Sequence, residues 1–248
     1  MHFESLTQEW QRAGWQVESH VDEPVRDREW TMEPASLVAT RSGGQDKPSR
    51  VVFLASLEAP KDRSQTKLGP STPEANEQEP PSDLVALSKL AGSMSRTLLA
   101  RAEVLLVATH QAKHEQLWLT TLLQGAAGSL ESKPTLVVDF ACIGRGVVTI
   151  FSRQHRMRAL ATRAAIDLWL PHRTRHWGWG WHDLIPSSRY QRHEPWITLS
   201  GDCRPTQVNP AIVAAAIQLA TEIALRWTRH PDEADPGANL PRSTQKPG

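Results

Sequence analysis

The chain has 248 residues, of which 39% are hydrophobic, which is enough to build the core of one α/β domain. Its 28 basic and 27 acidic residues give a net charge of +1, so overall charge draws it neither to nucleic acid nor to anionic lipid. No apolar run is long enough to cross a bilayer. We therefore expect neither a nucleic-acid nor a membrane partner.

The start of the chain and the cysteines bear on the compartment. The residues MHFESLTQEWQRAG carry acidic side chains and no apolar stretch, so they do not resemble a secretory signal, although a fragment of a longer precursor would look the same. Cys142 and Cys203 lie far apart without C-x-x-C spacing, which favours free buried thiols over a disulfide framework. We expect a cytoplasmic protein.

The first quarter of the chain predicts one helix and two strands. Residues Phe3–Trp15 carry apolar side chains at helical intervals, which predicts an amphipathic helix ending at Gly14. Ser36–Arg41 (SLVATR) and Arg50–Leu57 (RVVFLASL) are extended, and the turn-rich residues between them predict a hairpin or meander. Residues 59–81 are rich in Pro, Ser, Glu and Gln, which predicts a long flexible surface loop.

The middle of the chain alternates helices with strands. Ser82 can cap one helix through LVALSKLAGSMSRTLLARA, and strands over Glu103–Thr109 and Thr135–Phe140 enclose a helix over Glu115–Leu123. This alternation is typical of an α/β sheet, in which ligand sites lie at the carboxyl ends of the strands. The candidate residues at those ends are Glu58, His110 and Asp139.

The remaining segments complete a single α/β domain over residues 1–229. GRGVVTIFS predicts an edge hairpin or additional strand, and Arg153–Leu168 predicts a helix with a basic outer face. An irregular Trp/His/Arg-rich segment at 170–194 follows, and then a strand over Trp196–Ser200. The last helix runs from Pro210 to about Thr228 and is capped by Asn209, and residues 230–248 form a disordered tail. We predict three layers, with a mostly parallel or mixed central sheet flanked by helices.

Read in order, these segments resemble the zinc-dependent aminopeptidases, the metallopeptidase family that also includes glutaminyl cyclase. RVVFLASLEAP stands where the family has a strand ending in A-H-x-D, and EPPSDLVALSKLAGSMSRTL resembles the helix that usually opens with D-x-x-S-G. EVLLVATHQAKHE replaces the strand that ends in paired glutamates, and VVDFACIG matches L-D-x-x-G. SSRYQRHEPWITLSG and IVAAAIQLATEIAL resemble the last strand and helix. The resemblance implies the phosphorylase/hydrolase-like architecture of that family.

Most of the family's metal ligands are replaced at the matching positions. Asp139 falls at a ligand position. Ser56 stands at the position of the first histidine, Glu58 at that of the nearby acid and Glu79 at that of the bridging acid. His110 and Gln111 stand in place of the paired glutamates, and Arg189 lies near the position of the last histidine, with His193 beyond it. A zinc pair needs imidazole or carboxylate ligands and a carboxylate base, which Ser, Gln and Arg cannot supply. These replacements predict a degenerate site without a cofactor. Without a metal, we expect Asp139 to be a strand-end carboxylate held by loop amides or an arginine.

The run from Trp177 through Trp179 to Trp181, with glycines between, is the most unusual local feature in a chain with 10 Trp and 1 Tyr. Its rings could present flat apolar faces to a ligand, with His193 nearby, or could seal the loop onto the core. In glutaminyl cyclase-like members a tryptophan-bearing pocket receives the end of the substrate, so the resemblance implies the first role.

Three functions remain open from the sequence. The first is a non-catalytic, aminopeptidase-like protein that binds an unknown small molecule or peptide, or a protein partner, through the strand-end pocket and the Trp-rich loop. The second is an active zinc aminopeptidase or glutaminyl cyclase-like hydrolase whose metal is bound by Asp139, Glu58, His110 or histidines of the late loop. The third is a purely structural α/β subunit.

Overall fold

A computed structural model describes residues 3–20, 36–41, 47–56, 82–109, 133–141, 143–144, 146–175, 195–201 and 208–229. The helices in these ranges are α1 (Phe3–Arg12), α2 (Ser82–Gly92), α3 (Arg96–Arg101), α4 (His155–Asp167) and α5 (Pro210–Trp227). The strands are β1 (Gln16–His20), β2 (Ser36–Thr40), β3 (Arg50–Ser56), β4 (Glu103–Thr109), β5 (Thr135–Ala141), β6 (Val148–Phe151), β7 (His172–Arg175) and β8 (Trp196–Ser200). None of these helices is long and apolar enough to cross a membrane.

All eight strands form one mixed sheet with the order β1-β2-β4-β3-β5-β8-β6-β7. Strands β4, β3, β5 and β8 are parallel and occupy the centre. The antiparallel strands β2 and β1 extend the sheet beyond β4, while β6 runs antiparallel to β8 and pairs in parallel with β7. The predicted α/β fold with a mixed central sheet is therefore confirmed.

Apolar residues on both faces explain why the central strands are buried. On one face Phe53 of β3 stacks against Phe140 of β5, with ring centroids 6.5 Å apart, inside the large core that the helices cover. On the other face Val52, Leu105 and Val137 belong to a second buried cluster. Alternation along each strand sends successive side chains to opposite faces, so these continuous apolar runs require burial on both.

The five described helices all place their buried apolar side chains in the first core. Helix α5 begins as predicted, because the Asn209 Oδ1 atom accepts a hydrogen bond of 2.9 Å from the Ala211 amide. The helix predicted over Glu115–Leu123 lies outside the described residues, so a helical layer on the second face stays a prediction. The domain limits at 1–229, the loop at 59–81 and the tail at 230–248 also stay predictions.

The predicted hairpin between β2 and β3 is wrong, because β4 lies between these two strands. Strand β3 is apolar on both faces and is paired in parallel on both edges, with β4 and β5. Strand β2 instead pairs antiparallel with β4 and with β1. Turn-rich residues show that the chain turns, but they do not specify which strand becomes the neighbour.

Three further elements differ from the sequence prediction. Strand β1 was missed because its sequence, QVESH, is largely polar, as an edge strand can be. Strand β7 occupies the beginning of the segment expected to be irregular, and its sequence, HRTR, has no apolar residue. The long helix predicted after Ser82 is two helices, because α2 ends at Gly92 and α3 begins only at Arg96.

A buried cluster of charged residues lies at the amino-terminal edge of the central strands. The Arg50 Nε atom lies 2.9 Å from Glu103 Oε2, and Lys133 Nζ lies 3.3 Å from the same oxygen. Arg50 and Glu103 are register partners on β3 and β4, and both are almost fully buried. Since ligand sites of parallel sheets lie at the opposite, carboxyl edge, this cluster serves the fold.

Candidate site at the carboxyl edge of the sheet

Asp139 is a carboxylate in the centre of the sheet, two residues before β5 ends. Its register partners are Leu54 on β3 and Thr198 on β8. Val137, two residues earlier, belongs to the second cluster, and strand alternation places Asp139 on that same face. Its side chain is only 3% exposed, so the carboxyl group is enclosed by protein.

A short chain of hydrogen bonds holds this carboxyl group. The Thr198 hydroxyl donates to Asp139 Oδ2 at 3.3 Å, and the Trp196 indole N–H donates to the Thr198 Oγ1 atom at 3.2 Å. All three residues are buried. Loop amides or an arginine were expected in this role, whereas within the described residues a hydroxyl of the adjacent strand fills it.

Asp83 brings a second buried carboxylate to the same edge. It lies in the first turn of α2, and its Oδ1 atom accepts a hydrogen bond of 2.7 Å from the Ile143 amide, just beyond β5. The Ser82 hydroxyl donates to the same oxygen at 3.4 Å. This contact connects the start of α2 to the segment after β5.

Burial is the main reason that the pKa of Asp139 rises from 3.8 to about 7. The negative charge of Asp83 raises this pKa further, and the hydrogen bond from Thr198 lowers it. A pKa near 7 means that Asp139 is protonated in a large fraction of molecules at neutral pH. The proton supplies the charge neutralisation that two neighbouring buried carboxylates require.

The described residues do not form a zinc site at this edge. No group of three His, Cys, Asp or Glu side chains in the described ranges is arranged to hold a metal ion. Strand β8, beside β5, contributes Thr198 in register with Asp139, and β4, which lies beyond β3, ends in Thr109. Neutral hydroxyls are poor zinc ligands. Among the described residues, Asp139 and Asp83 are therefore two acids that no imidazole joins.

The structure describes Asp139, and it places Ser56, the counterpart of the first histidine, as the last residue of β3. Glu58, His110, Trp177, Trp179, Trp181 and His193 lie outside the described residues, as do Cys142 and Cys203. His172, the first histidine of the late loop, lies instead in edge strand β7, where its Nδ1 atom is 2.9 Å from the Leu170 carbonyl oxygen. Strands β6 and β8 separate β7 from β5, so His172 does not join Asp139.

Asp83, Thr198 and Trp196 were missed as site residues. Thr198 could have been noticed as a polar residue at a buried position of an apolar strand, where a hydroxyl needs a partner. Asp83 has the signal of an acid in a first helical turn, but that signal points to a helix-dipole contact rather than to Ile143. Only the packing of α2 beside the end of β5 reveals its role.

No protein-family model matches the sequence, and no curated protein matches it. Among solved structures, a leucine aminopeptidase precursor from Bacteroides thetaiotaomicron matches with a TM-score of 0.61 and 9% identity over 90% of this chain and 87% of that one. The glutaminyl cyclase of Porphyromonas gingivalis matches with a TM-score of 0.59 and 10% identity over 91% and 88%.

This chain has the aminopeptidase-like fold. The LapA aminopeptidase of Legionella pneumophila shares it as well, with a TM-score of 0.61, 12% identity and coverage of 91% of this chain and 64% of that chain. At such identities the likeness shows the fold alone. It confirms the expected resemblance to zinc-dependent exopeptidases and glutaminyl cyclases at the level of architecture, and leaves the chemistry of the carboxyl edge to be argued from this chain's own residues.

Proposed function

We propose that this chain is a non-catalytic protein of the aminopeptidase-like fold that binds a small molecule, a peptide or another protein at the carboxyl edge of its sheet. The observation that carries the proposal is the burial of Asp139, the position that best matches a metal ligand of the zinc enzymes. A catalytic zinc ligand must offer a lone pair to a site that substrate can enter. Asp139 instead accepts from Thr198 inside the sheet.

The electrostatics support the same reading. A divalent cation beside Asp139 and Asp83 would stabilise both charged carboxylates and lower their pKa values. The surroundings of Asp139 have the opposite effect on its pKa, because burial and the charge of Asp83 raise that pKa to about 7. A proton can thus take the position that a cation would hold in an active relative, with the Trp-rich loop at 170–194 as the proposed ligand-binding element.

One observation favours an active zinc aminopeptidase or glutaminyl cyclase-like hydrolase as the second candidate. Asp139 and Asp83 are two buried acids at the edge where α/β folds place their active sites. His110 directly follows β4 and Glu58 follows β3 by two residues, so both could add ligands there. Zinc would then be the cofactor. A purely structural role is the third candidate, and it predicts neither metal nor ligand.

Elemental analysis separates these functions on protein purified without chelator or affinity tag, together with the Asp139→Asn variant. The proposal expects no zinc in either protein, none retained after zinc addition, and no aminopeptidase or glutaminyl cyclase activity. Stoichiometric zinc that is lost in Asp139→Asn, with activity lost and the fold retained, would establish the enzyme instead.

A ligand screen then separates binding from a structural role. Thermal shifts with a panel of small molecules and peptides would be compared between the wild type and a variant carrying Trp177→Ala, Trp179→Ala and Trp181→Ala. The proposal expects at least one ligand that stabilises the wild type and not the variant, with both proteins folded. If no ligand is found, or if every shift survives the three substitutions, the structural role is favoured.

A further inference from the structure

The outer face of α4 has an apolar end that faces solvent. His155, Ala159, Arg163 and Ile166 follow one another at spacings of four, four and three residues, and all four are exposed. The buried residues of the same helix, including Met157 and Ala161, lie in the first core. Ile166 is 52% exposed, so the solvent face of α4 ends in a large aliphatic side chain.

Trp169 extends this apolar end beyond the helix. Its side chain is 92% exposed, the highest exposure among the large hydrophobic residues that the structure describes. Its backbone has a φ of +55°, in the left-handed region. Two backbone hydrogen bonds end the helix at this residue. The Leu170 amide donates to Ala165 O at 3.0 Å, and the Trp169 amide donates to Ile166 O at 2.9 Å.

This combination is costly for a residue without a binding role. Glycine is the usual residue at such a helix end, since it adopts positive φ without a side-chain clash. A tryptophan here meets backbone strain and also leaves a large indole in water. Strained positions of this kind are concentrated at functional sites, and an exposed apolar tip is typical of an interaction surface.

The segment that carries this tip is basic although the whole chain is nearly neutral. Residues 153–175 contain six arginines and a single acidic residue, Asp167, while the net charge of the chain is +1. Asp167 pairs with Arg163 at 3.3 Å and with Arg226 at 2.9 Å, and Arg226 also pairs with Glu222 at 2.7 Å. Four of these arginines are exposed, namely Arg153, Arg156, Arg163 and Arg173. They give the outer face of this segment a net positive charge that complements an anionic surface.

We propose that Trp169, Ile166 and the basic outer face of α4 form a peripheral binding surface for an anionic lipid bilayer. The indole would enter the headgroup region, where tryptophan partitions well, while the arginines would lie near the lipid phosphates. This binding requires no spanning helix, so it revises only the expectation, based on net charge, that no membrane partner exists.

Area and charge favour a bilayer over a protein. Two exposed apolar side chains can bury a few hundred Å², whereas a stable protein interface buries about 800 Å² on each partner. A projecting indole also needs a matching pocket in a protein, but a fluid headgroup layer accepts it without one. A second copy of this chain would bring two basic surfaces together, which repel each other.

The test is flotation of the full chain with vesicles of phosphatidylcholine and phosphatidylglycerol, and with vesicles of phosphatidylcholine alone. At about 0.1 M salt we expect binding only to the anionic vesicles, and loss of that binding near 1 M salt, where charges act over only about 3 Å. Trp169→Gly should weaken binding at least about tenfold while its Tm stays equal to or above that of the wild type, because glycine removes the backbone strain.

A matched pair of arginine variants tests the position of the charge. Arg163→Ala should weaken vesicle binding about fivefold, whereas Arg96→Ala, an exposed arginine on α3, removes the same charge elsewhere and should have little effect. Absence of binding to anionic vesicles at low salt would refute the proposal, as would wild-type affinity in Trp169→Gly or equal losses in the two arginine variants. Trp169-dependent dimers in sedimentation without lipid would instead assign the surface to self-association.

Discussion

The Thr198 hydroxyl donates a hydrogen bond of 3.3 Å to Asp139 across the parallel strands β8 and β5. This contact lies near the carboxyl edge of the sheet and directs the carboxylate to a neighbouring strand. The strength of this hydrogen bond and the protonation of Asp139 can both be measured.

Thr198→Val removes the hydroxyl while nearly preserving the volume of the side chain. Because the Thr198 hydrogen bond lowers the pKa of Asp139, this pKa should rise in the variant. Above that pKa the free energy of unfolding should fall by about 1–3 kcal/mol, since a buried charged acceptor loses its donor. Carboxyl NMR titration and urea unfolding would measure the two effects. Thr198→Ser keeps a hydroxyl donor, so its pKa for Asp139 and its free energy of unfolding should both be close to those of the wild type. An unchanged pKa in Thr198→Val would show that the hydrogen bond does not act on Asp139.

Asp139 should make the protein less stable as pH rises. Its folded-state pKa of about 7 lies above the value of 3.8 for a free carboxyl group, so the folded protein retains a proton that the unfolded chain releases. The stability contributed by this proton is fully present below about pH 4 and is lost as the pH rises towards 7. Each unit of separation between the two pKa values corresponds to about 1.4 kcal/mol.

Asp139→Asn should remove this pH dependence, because the amide stays neutral throughout. Urea unfolding should show similar stability for the variant and the wild type near pH 4 and a more stable variant above pH 7. Asp167→Asn is the contrasting control. The hydrogen bond from Arg226 lowers the pKa of Asp167, so the stability that this carboxylate contributes is lost as the pH falls. A variant that is less stable than the wild type at pH 8 would refute the assignment.

Glu103→Gln should be strongly destabilising because it removes a buried carboxylate that lies 2.9 Å from the Arg50 guanidinium. Breaking one side of a buried ion pair costs about 3–5 kcal/mol, which denaturant unfolding can measure. Glu222→Gln is the control, because its pair with Arg226 is partly exposed and should contribute less than about 1 kcal/mol. Equal losses in the two variants would show that burial does not decide the cost.

Ser88→Ala should stabilise the protein. The Ser88 hydroxyl is buried in α2 and has no hydrogen-bond partner within the described part of the chain. Removing an unsatisfied hydroxyl and introducing a better helix former should raise the free energy of unfolding by about 1 kcal/mol. Ser93→Ala is the control, because Ser93 is exposed and should change stability by less than about 0.5 kcal/mol. A loss of stability in Ser88→Ala would indicate a hidden partner.

The site was predictable from the sequence only in part. Asp139 was found because a carboxylate ends an apolar strand, and the resemblance to zinc aminopeptidases pointed to the same residue. Its partners were not found, since Thr198 lies 59 residues away and Asp83 acts through the amide of Ile143. Hydrogen bonds between elements distant in sequence leave no periodic pattern in the sequence.

The amino-acid sequence by itself determined which apolar segments form the core and where the last helix begins. Apolar runs predicted β3, β4, β5 and β8, and Asn209 marked the start of α5, because burial and capping depend on side chains close together in the chain. Only the tertiary structure decided that β4 separates β2 from β3, that the polar strands β1 and β7 join the edges, and that Asp83 approaches Asp139. The physical reason is that an apolar pattern specifies which face must leave water, whereas the choice of neighbour depends on backbone pairing and on the packing of the whole sheet.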